Sequence, residues 1–168
     1  MIIIIMGVSG SGKTTVGQQL AADLGWLYAD GDDFHNTKNI AKMRKGIALT
    51  DKNRSAWLSL ISQYIKEQIK SKKNGVISCS ALKQQYQKQL QFNSEQVKFV
   101  YLQGSEALIH KRLESRSGHF MNIELLASQF EALEQPEQAL IIDIIQSPEQ
   151  ISAAIQVSFG LLTEKTEQ

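Results

Sequence analysis

Five short apolar runs, rich in β-branched residues, punctuate the chain: IIIIM at 2–6, WLYA at 26–29, VISCS at 76–80, VKFVYL at 97–102 and ALIIDI at 139–144. Runs of this length and composition suit strands covered on both faces. Between them the apolar positions fall into the three-and-four rhythm of amphipathic helices, over 13–24, 53–70, 81–90, 106–115, 123–133 and 149–159. Strand and helix in alternation predict an α/β fold, a three-layer arrangement with a five-stranded parallel sheet flanked by helices and joined by right-handed crossovers. Ligands of such sheets gather beyond the carboxyl ends of the strands. Residues 7–14, 30–35 and 80–83 therefore have first claim on function.

The first of these segments reads GVSGSGKT and lies between an apolar strand and an amphipathic helix, the context that the phosphate-binding GxxxxGK[ST] loop requires. Gly7, Gly10 and Gly12 let the backbone wrap an anion, so that the amides of the loop, Ser9 and Ser11 included, converge with the helix N-terminus on a nucleotide's phosphates. Lys13 is expected to reach the β- and γ-phosphates, Thr14 to hold Mg²⁺, and Thr15 to supply an adjacent hydroxyl. The motif predicts a P-loop NTPase fold that binds ATP. A guanine-reading NKxD sequence is absent.

Composition narrows the class. The 168 residues are 42% hydrophobic and 21% charged, enough for one core and few for two, so residues 1–168 are read as one domain. Eighteen basic and 17 acidic residues are dispersed without a basic block, which argues against nucleic acid as a partner. The apolar start is too short for a membrane span. Cys79 is the single cysteine, so no intrachain disulfide forms, as suits a cytoplasmic location.

The acceptor has to be read from the second segment, YADGDDFH. Asp30 and Asp32 stand two apart, so in extended backbone both carboxylates point to the same side. One can hold Mg²⁺ while the other draws the proton from an attacking hydroxyl. Asp32 is assigned to the hydroxyl and Asp30 to the metal, with the reverse order left open by spacing alone.

Beyond these residues the chain resembles the bacterial-type gluconokinases over nearly its whole length. The resemblance rests on GVSGSGKT, on DGDDFHNTKNIAKMRKGIALTDKNRSAWL at 30–58, on CSALKQQY at 79–86, on RLESRSGHFM at 112–121 and on LLASQFEALEQP at 125–136. It implies an adenylate-kinase-like or shikimate-kinase-like fold and transfer of the ATP γ-phosphoryl group to the terminal hydroxyl of D-gluconate. A polyol with one carboxylate needs a fixed cation at one end of its pocket, and Arg54 is the choice because a guanidinium grips a carboxylate bidentately. His35 serves either a sugar hydroxyl or a structural role, and Lys83, expected after one turn of helix, points towards a phosphate or the acid.

The resemblance also implies a lid over about 112–125 and an acceptor-binding region over about 30–58. Within the lid, Arg112 lies against adenine and Arg116 stabilises charge on the transferred group. Gly118 offers a hinge, and His119 with Phe120 lines the inner surface. The segment SQF at 128–130 is expected to pack the following helix onto the core, and the turn at 135–136 to border the adenine pocket. Asn36, Asn53 and Gln87 depart from the family's usual residues. A homodimer is what the family suggests. The rival readings are a related kinase acting on shikimate, a nucleoside monophosphate or another sugar acid, and a non-catalytic ATP-binding module.

Overall fold

A computed structural model describes residues 1–115 and 123–161. Its centre is β1 (Ile2–Met6), flanked by β3 (Gly75–Ser78) and β4 (Val97–Gln103), with β2 (Leu27–Asp30) and β5 (Ala139–Asp143) at the edges. The order is β2-β3-β1-β4-β5 and every pairing is parallel, with Ile2 in register with both Gly75 and Val97. All five β1 side chains have 0% relative exposure, which is why that strand is apolar throughout instead of alternating.

Because successive side chains on a strand face opposite ways, β1 feeds two cores. Ile3 and Ile5 join Val16 and Leu20 of α1 (Lys13–Leu24), Ile109 of α5 (Glu106–Glu114), Leu126 of α6 (Ile123–Ala132) and Ile151 and Ile155 of α7 (Pro148–Ser158). Ile2, Ile4 and Met6 face the other side, against Trp57, Leu58, Ile61 and Ile65 of α3 (Asp51–Lys70) and Tyr86 and Leu90 of α4 (Gln84–Leu90). Each isoleucine so buried contributes about 1.5–3 kcal/mol relative to an exposed one. The sheet is thereby sandwiched between helices on both faces.

Local chemistry sets the helix ends. Thr50 and Asn53 form a reciprocal capping box at the start of α3, and Ser147 with Gln150 forms another at α7, where Pro148 takes the first turn. Ser105 caps α5 by accepting from Leu108 N–H. The N-terminus of α1 differs: Gly12, at φ 98°, precedes it and no side chain caps it.

The structure corrects several boundaries. Helix α3 begins at Asp51, two residues before the expected start, because Thr50 is a better cap than Lys52. Helix α4 begins at Gln84 instead of residue 81, since Ala81 is held at φ 42° and Lys83 is extended at φ −101°, ψ 146°. Residues 30–50, to which no element is assigned from the sequence, contain a 3-10 turn (Gly31–Phe34) and the two-turn helix α2 (Thr37–Arg44), which Asn36 caps by accepting from Asn39 N–H at 2.8 Å.

Candidate active site

The loop between β1 and α1 lies at the carboxyl end of the central strand, between the ends of β3 and β4. It is tied to the former by Gly7 N–H donating to Ser80 O at 3.4 Å. Gly7, Gly10 and Gly12 all have positive φ. At Gly12 no heavy atom would meet an added Cβ within 4 Å, so what demands glycine there is the left-handed turn and not crowding. That turn leaves open space in front of the uncapped amides of α1, where a helix N-terminus attracts anions.

Lys13 Nζ donates to Val8 O at 2.9 Å, so the lysine curls over its own loop. Burial presses its pKa down, opposed by negative neighbours, Asp32 foremost. Beside it, Thr14 Oγ1 donates to Asp30 Oδ2 at 3.2 Å, and the Tyr28 hydroxyl lies 3.2 Å from the same oxygen and 2.7 Å from Ser78 Oγ. Tyr28, a residue that sequence reasoning left unremarked, thus fixes the carboxylate at the end of β2. A hydroxyl and one carboxylate are a fitting donor set for Mg²⁺, which keeps several waters and takes its remaining oxygens from nucleotide phosphates. Among the described residues no group of three or more His, Cys, Asp and Glu side chains is placed to hold a metal ion.

Asp32 does come near Asp30, but not through strand alternation. Strand β2 stops at Asp30, the chain tightens into the 3-10 turn, and Asp32 N–H donates to Asp30 Oδ1 at 3.0 Å. Asp32 is open to solvent, yet protein crowds about its carboxylate. That enclosure raises its pKa, as does the charge of Asp30, while Lys13 pulls it down. Cys79, at the end of β3, is 2% exposed, and burial pushes its thiol up to about 12, so it packs and does not react.

A second recess, an open cavity of about 370 Å³, is lined by Thr50, Asp51, Arg54, Lys83, Ser128 and Gln129 among others. It brings Arg54 and Lys83 together as expected, but the geometry of Lys83 differs. The lysine stands at the N-cap of α4 and not one turn into the helix, and its Nζ donates to Asp51 Oδ1 and Oδ2 at 2.8 and 3.0 Å. Asp51 also accepts from the Tyr86 hydroxyl. The hydrogen bonds from Lys83 and then Tyr86 hold the Asp51 carboxyl below its ordinary range, and Asp51 in turn raises Lys83. Arg54 Nη1 donates to Leu49 O at 2.5 Å and its Cζ lies 5.9 Å from the Tyr86 ring centroid, so the guanidinium is braced by both.

His35 and Asp32 are not part of this cavity's lining. His35 stacks on Trp57 with ring centroids 4.4 Å apart, Trp57 Nε1 donates to Gly31 O at 2.6 Å, and His35 Nδ1 is buried without a partner among the described residues. Burial, then the nearby Arg54 cation, lowers the His35 pKa to about 4, so the ring is neutral at physiological pH. Lys42 is half-buried and donates to Asn53 Oδ1 at 3.1 Å.

Helix α6 does more than pack. Phe130 lies against the core, but Gln129 reaches the P-loop: Ser9 N–H donates to Gln129 Oε1 at 2.7 Å and Gln129 Nε2 donates to Ser9 Oγ at 3.0 Å. Pro136 borders a pocket shared with α4 and Phe99 of β4, which Gln87 also lines. Gln87 is buried and donates to Ala81 O and Glu134 O, both at 3.1 Å, tying the turn before α4 to the turn after α6. Arg112 Nη2 donates to Ile144 O at 2.5 Å, just past β5. Arg116, Gly118, His119 and Phe120 lie outside the described residues.

Comparison with known proteins extends this picture. Residues 9–152 match the shikimate kinase family. A probable gluconokinase of Dictyostelium discoideum is 43% identical, covering 90% of this chain and 82% of that protein. The thermosensitive gluconokinase of Escherichia coli K12 is 47% identical over 80% of this chain and 72% of its own. Among solved structures, a gluconokinase from Sinorhizobium meliloti 1021 superposes with a TM-score of 0.84 at 38% identity, covering 94% of this chain and 90% of that one.

Proposed function

The chain belongs to the gluconokinases, P-loop kinases of the shikimate-kinase type, and on that footing we propose that it phosphorylates the terminal hydroxyl of D-gluconate with ATP, giving 6-phospho-D-gluconate and ADP. One observation carries the choice of acceptor. The cavity that receives Arg54 and Lys83 is joined to the P-loop by Gln129, so a carboxylate held by a cation at one end presents the far end of a polyol to the phosphates. A volume of about 370 Å³ suits a six-carbon sugar acid.

In this reading the amides of Gly7, Ser9, Gly10, Ser11 and Gly12, with Lys13, Thr14 and Thr15, hold the triphosphate, and Arg112 borders the adenine. Thr14 and Asp30 would hold Mg²⁺, which draws charge from the phosphate oxygens. The acceptor hydroxyl attacks the γ-phosphorus, the bond to the bridging oxygen of ADP breaks, and the hydroxyl proton passes to Asp32. The raised pKa of Asp32 suits that task. Arg54 binds the carboxylate, Lys83 supplies a second cation and His35 offers a neutral ring to a hydroxyl. Assembly as a homodimer and a cytoplasmic location belong to the same reading; among the described residues no helix is long and apolar enough to cross a membrane.

A coupled ADP-release assay across gluconate, shikimate and nucleoside monophosphates tests it. Strong turnover with gluconate is expected. Turnover confined to another acceptor, or nucleotide binding with no acceptor-dependent turnover, overturns the assignment.

A further inference from the structure

The contact between Gln129 and Ser9 joins residues 120 positions apart, from the helix after the lid region to the third residue of the phosphate loop. Ser9 N–H belongs to the set of amides that a phosphate would use, yet here it is taken by a neutral carboxamide oxygen at 2.7 Å. A half-buried donor left without an acceptor carries a cost, so this bond helps keep the loop in order without nucleotide. An anionic phosphate oxygen is the stronger acceptor and displaces the carboxamide. Once displaced, Gln129 has its carboxamide oxygen and its N–H donors to satisfy, and it already lines the cavity that holds Arg54 and Lys83. A sugar hydroxyl, itself donor and acceptor, is the natural complement.

The geometry points to Gln129 as a positioning residue that changes partners: it clasps Ser9 in the nucleotide-free enzyme and, when the triphosphate takes that amide, turns to the acceptor hydroxyl next to the γ-phosphate. The acceptor half of this inference rests on the gluconate reading. Nucleotide and acceptor binding are then linked through a single side chain, and the linkage is reciprocal.

Titration calorimetry on the full chain separates the two halves. The probes are a non-hydrolysable ATP analogue with Mg²⁺ and gluconate, each alone and each in the presence of the other. In the unsubstituted protein, saturating analogue tightens gluconate binding by about tenfold, within the usual span of such couplings. Gln129→Met keeps the length of the side chain and removes both hydrogen bonds. It is expected to bind the analogue as tightly as the parent or more so, to bind gluconate alone unchanged, and to lose the coupling. Gln129→Ala, which adds no apolar bulk, gives the same pattern.

Weakened analogue binding in both variants overturns the clasp. Retained coupling, or gluconate binding weakened equally with and without the analogue, overturns the change of partners and leaves Gln129 an ordinary ligand. Absence of gluconate turnover in the unsubstituted protein sinks the acceptor assignment instead, and the analogue titration then judges the clasp by itself.

Discussion

Arg54 enters the cavity braced by Leu49 O and the Tyr86 ring, an arrangement that fixes a guanidinium before any ligand arrives. Arg54→Ala should therefore raise the gluconate KM by tenfold to a hundredfold, about 1.4–2.7 kcal/mol of binding, with a smaller effect on kcat, while Lys13→Ala lowers kcat severely. Steady-state kinetics decides, and unchanged gluconate parameters in the Arg54 variant remove it from the site. His35 makes a prediction about pH. Its folded pKa of about 4 lies below the ordinary 6.5, so the unfolded chain binds the proton more readily, and stability falls as pH drops through that window. Against His35→Phe, which keeps a ring over Trp57 and cannot titrate, the parent protein should lose up to about 3 kcal/mol more between pH 6.5 and 4 in denaturant titrations. Gly31 is a third such point: an added Cβ would lie 2.6 Å from Ser78 O, a backbone atom that cannot swing away. Gly31→Ala should cost about 1–3 kcal/mol and disturb the carboxylates on either side of it.

Helices carry the site through their first turns. Thr50 closes the capping box of α3, whose opening residues include Asp51 and Arg54. Thr50→Ala should cost about 1 kcal/mol, lowering Tm by about 2–4 °C, and should also raise the gluconate KM because the first turn frays. A thermal melt with parallel kinetics checks both; an unchanged KM would mean that Arg54 holds its place without the cap. The same reasoning explains which elements were legible in the sequence. The bounds of α1 matched expectation at both ends because Gly12 and Gly25, both left-handed, bracket a clean apolar pattern. Helix α2 escaped notice because its eight residues offer only Ile40, Ala41 and Met43 as apolar positions, too few to show a period; Asn36 and the positive φ of Gly46 were its only punctuation. Helix α4 was placed too early because nothing in the sequence announces that Ala81 adopts a left-handed conformation.

At the scale of the whole molecule, the open face at the strand ends means that nucleotide binding should act as a structural brace. At a hundred times its Kd, a ligand that binds only the folded state adds about 2.7 kcal/mol, or about 5–11 °C in Tm for a chain of this size. A melt with the ATP analogue and Mg²⁺ should show that shift, and Lys13→Ala should abolish most of it. A full shift retained in the variant would remove Lys13 from the phosphate site. The P-loop and the parallel sheet were readable because each is written in neighbouring residues: a fixed motif, and apolar runs alternating with helical spacing. What escaped were partnerships across the chain, such as Asp51 with Lys83 and Tyr86, or Ser9 with Gln129, since a local pattern carries no record of what the fold brings alongside. Cys79 belongs to that class too, buried just past the end of β3 as the chain's sole thiol. A maleimide can reach it only when the residues packed over the end of β3 move apart, so the speed of alkylation becomes a clock for local opening there, slowed by whatever ligand keeps the strand ends together.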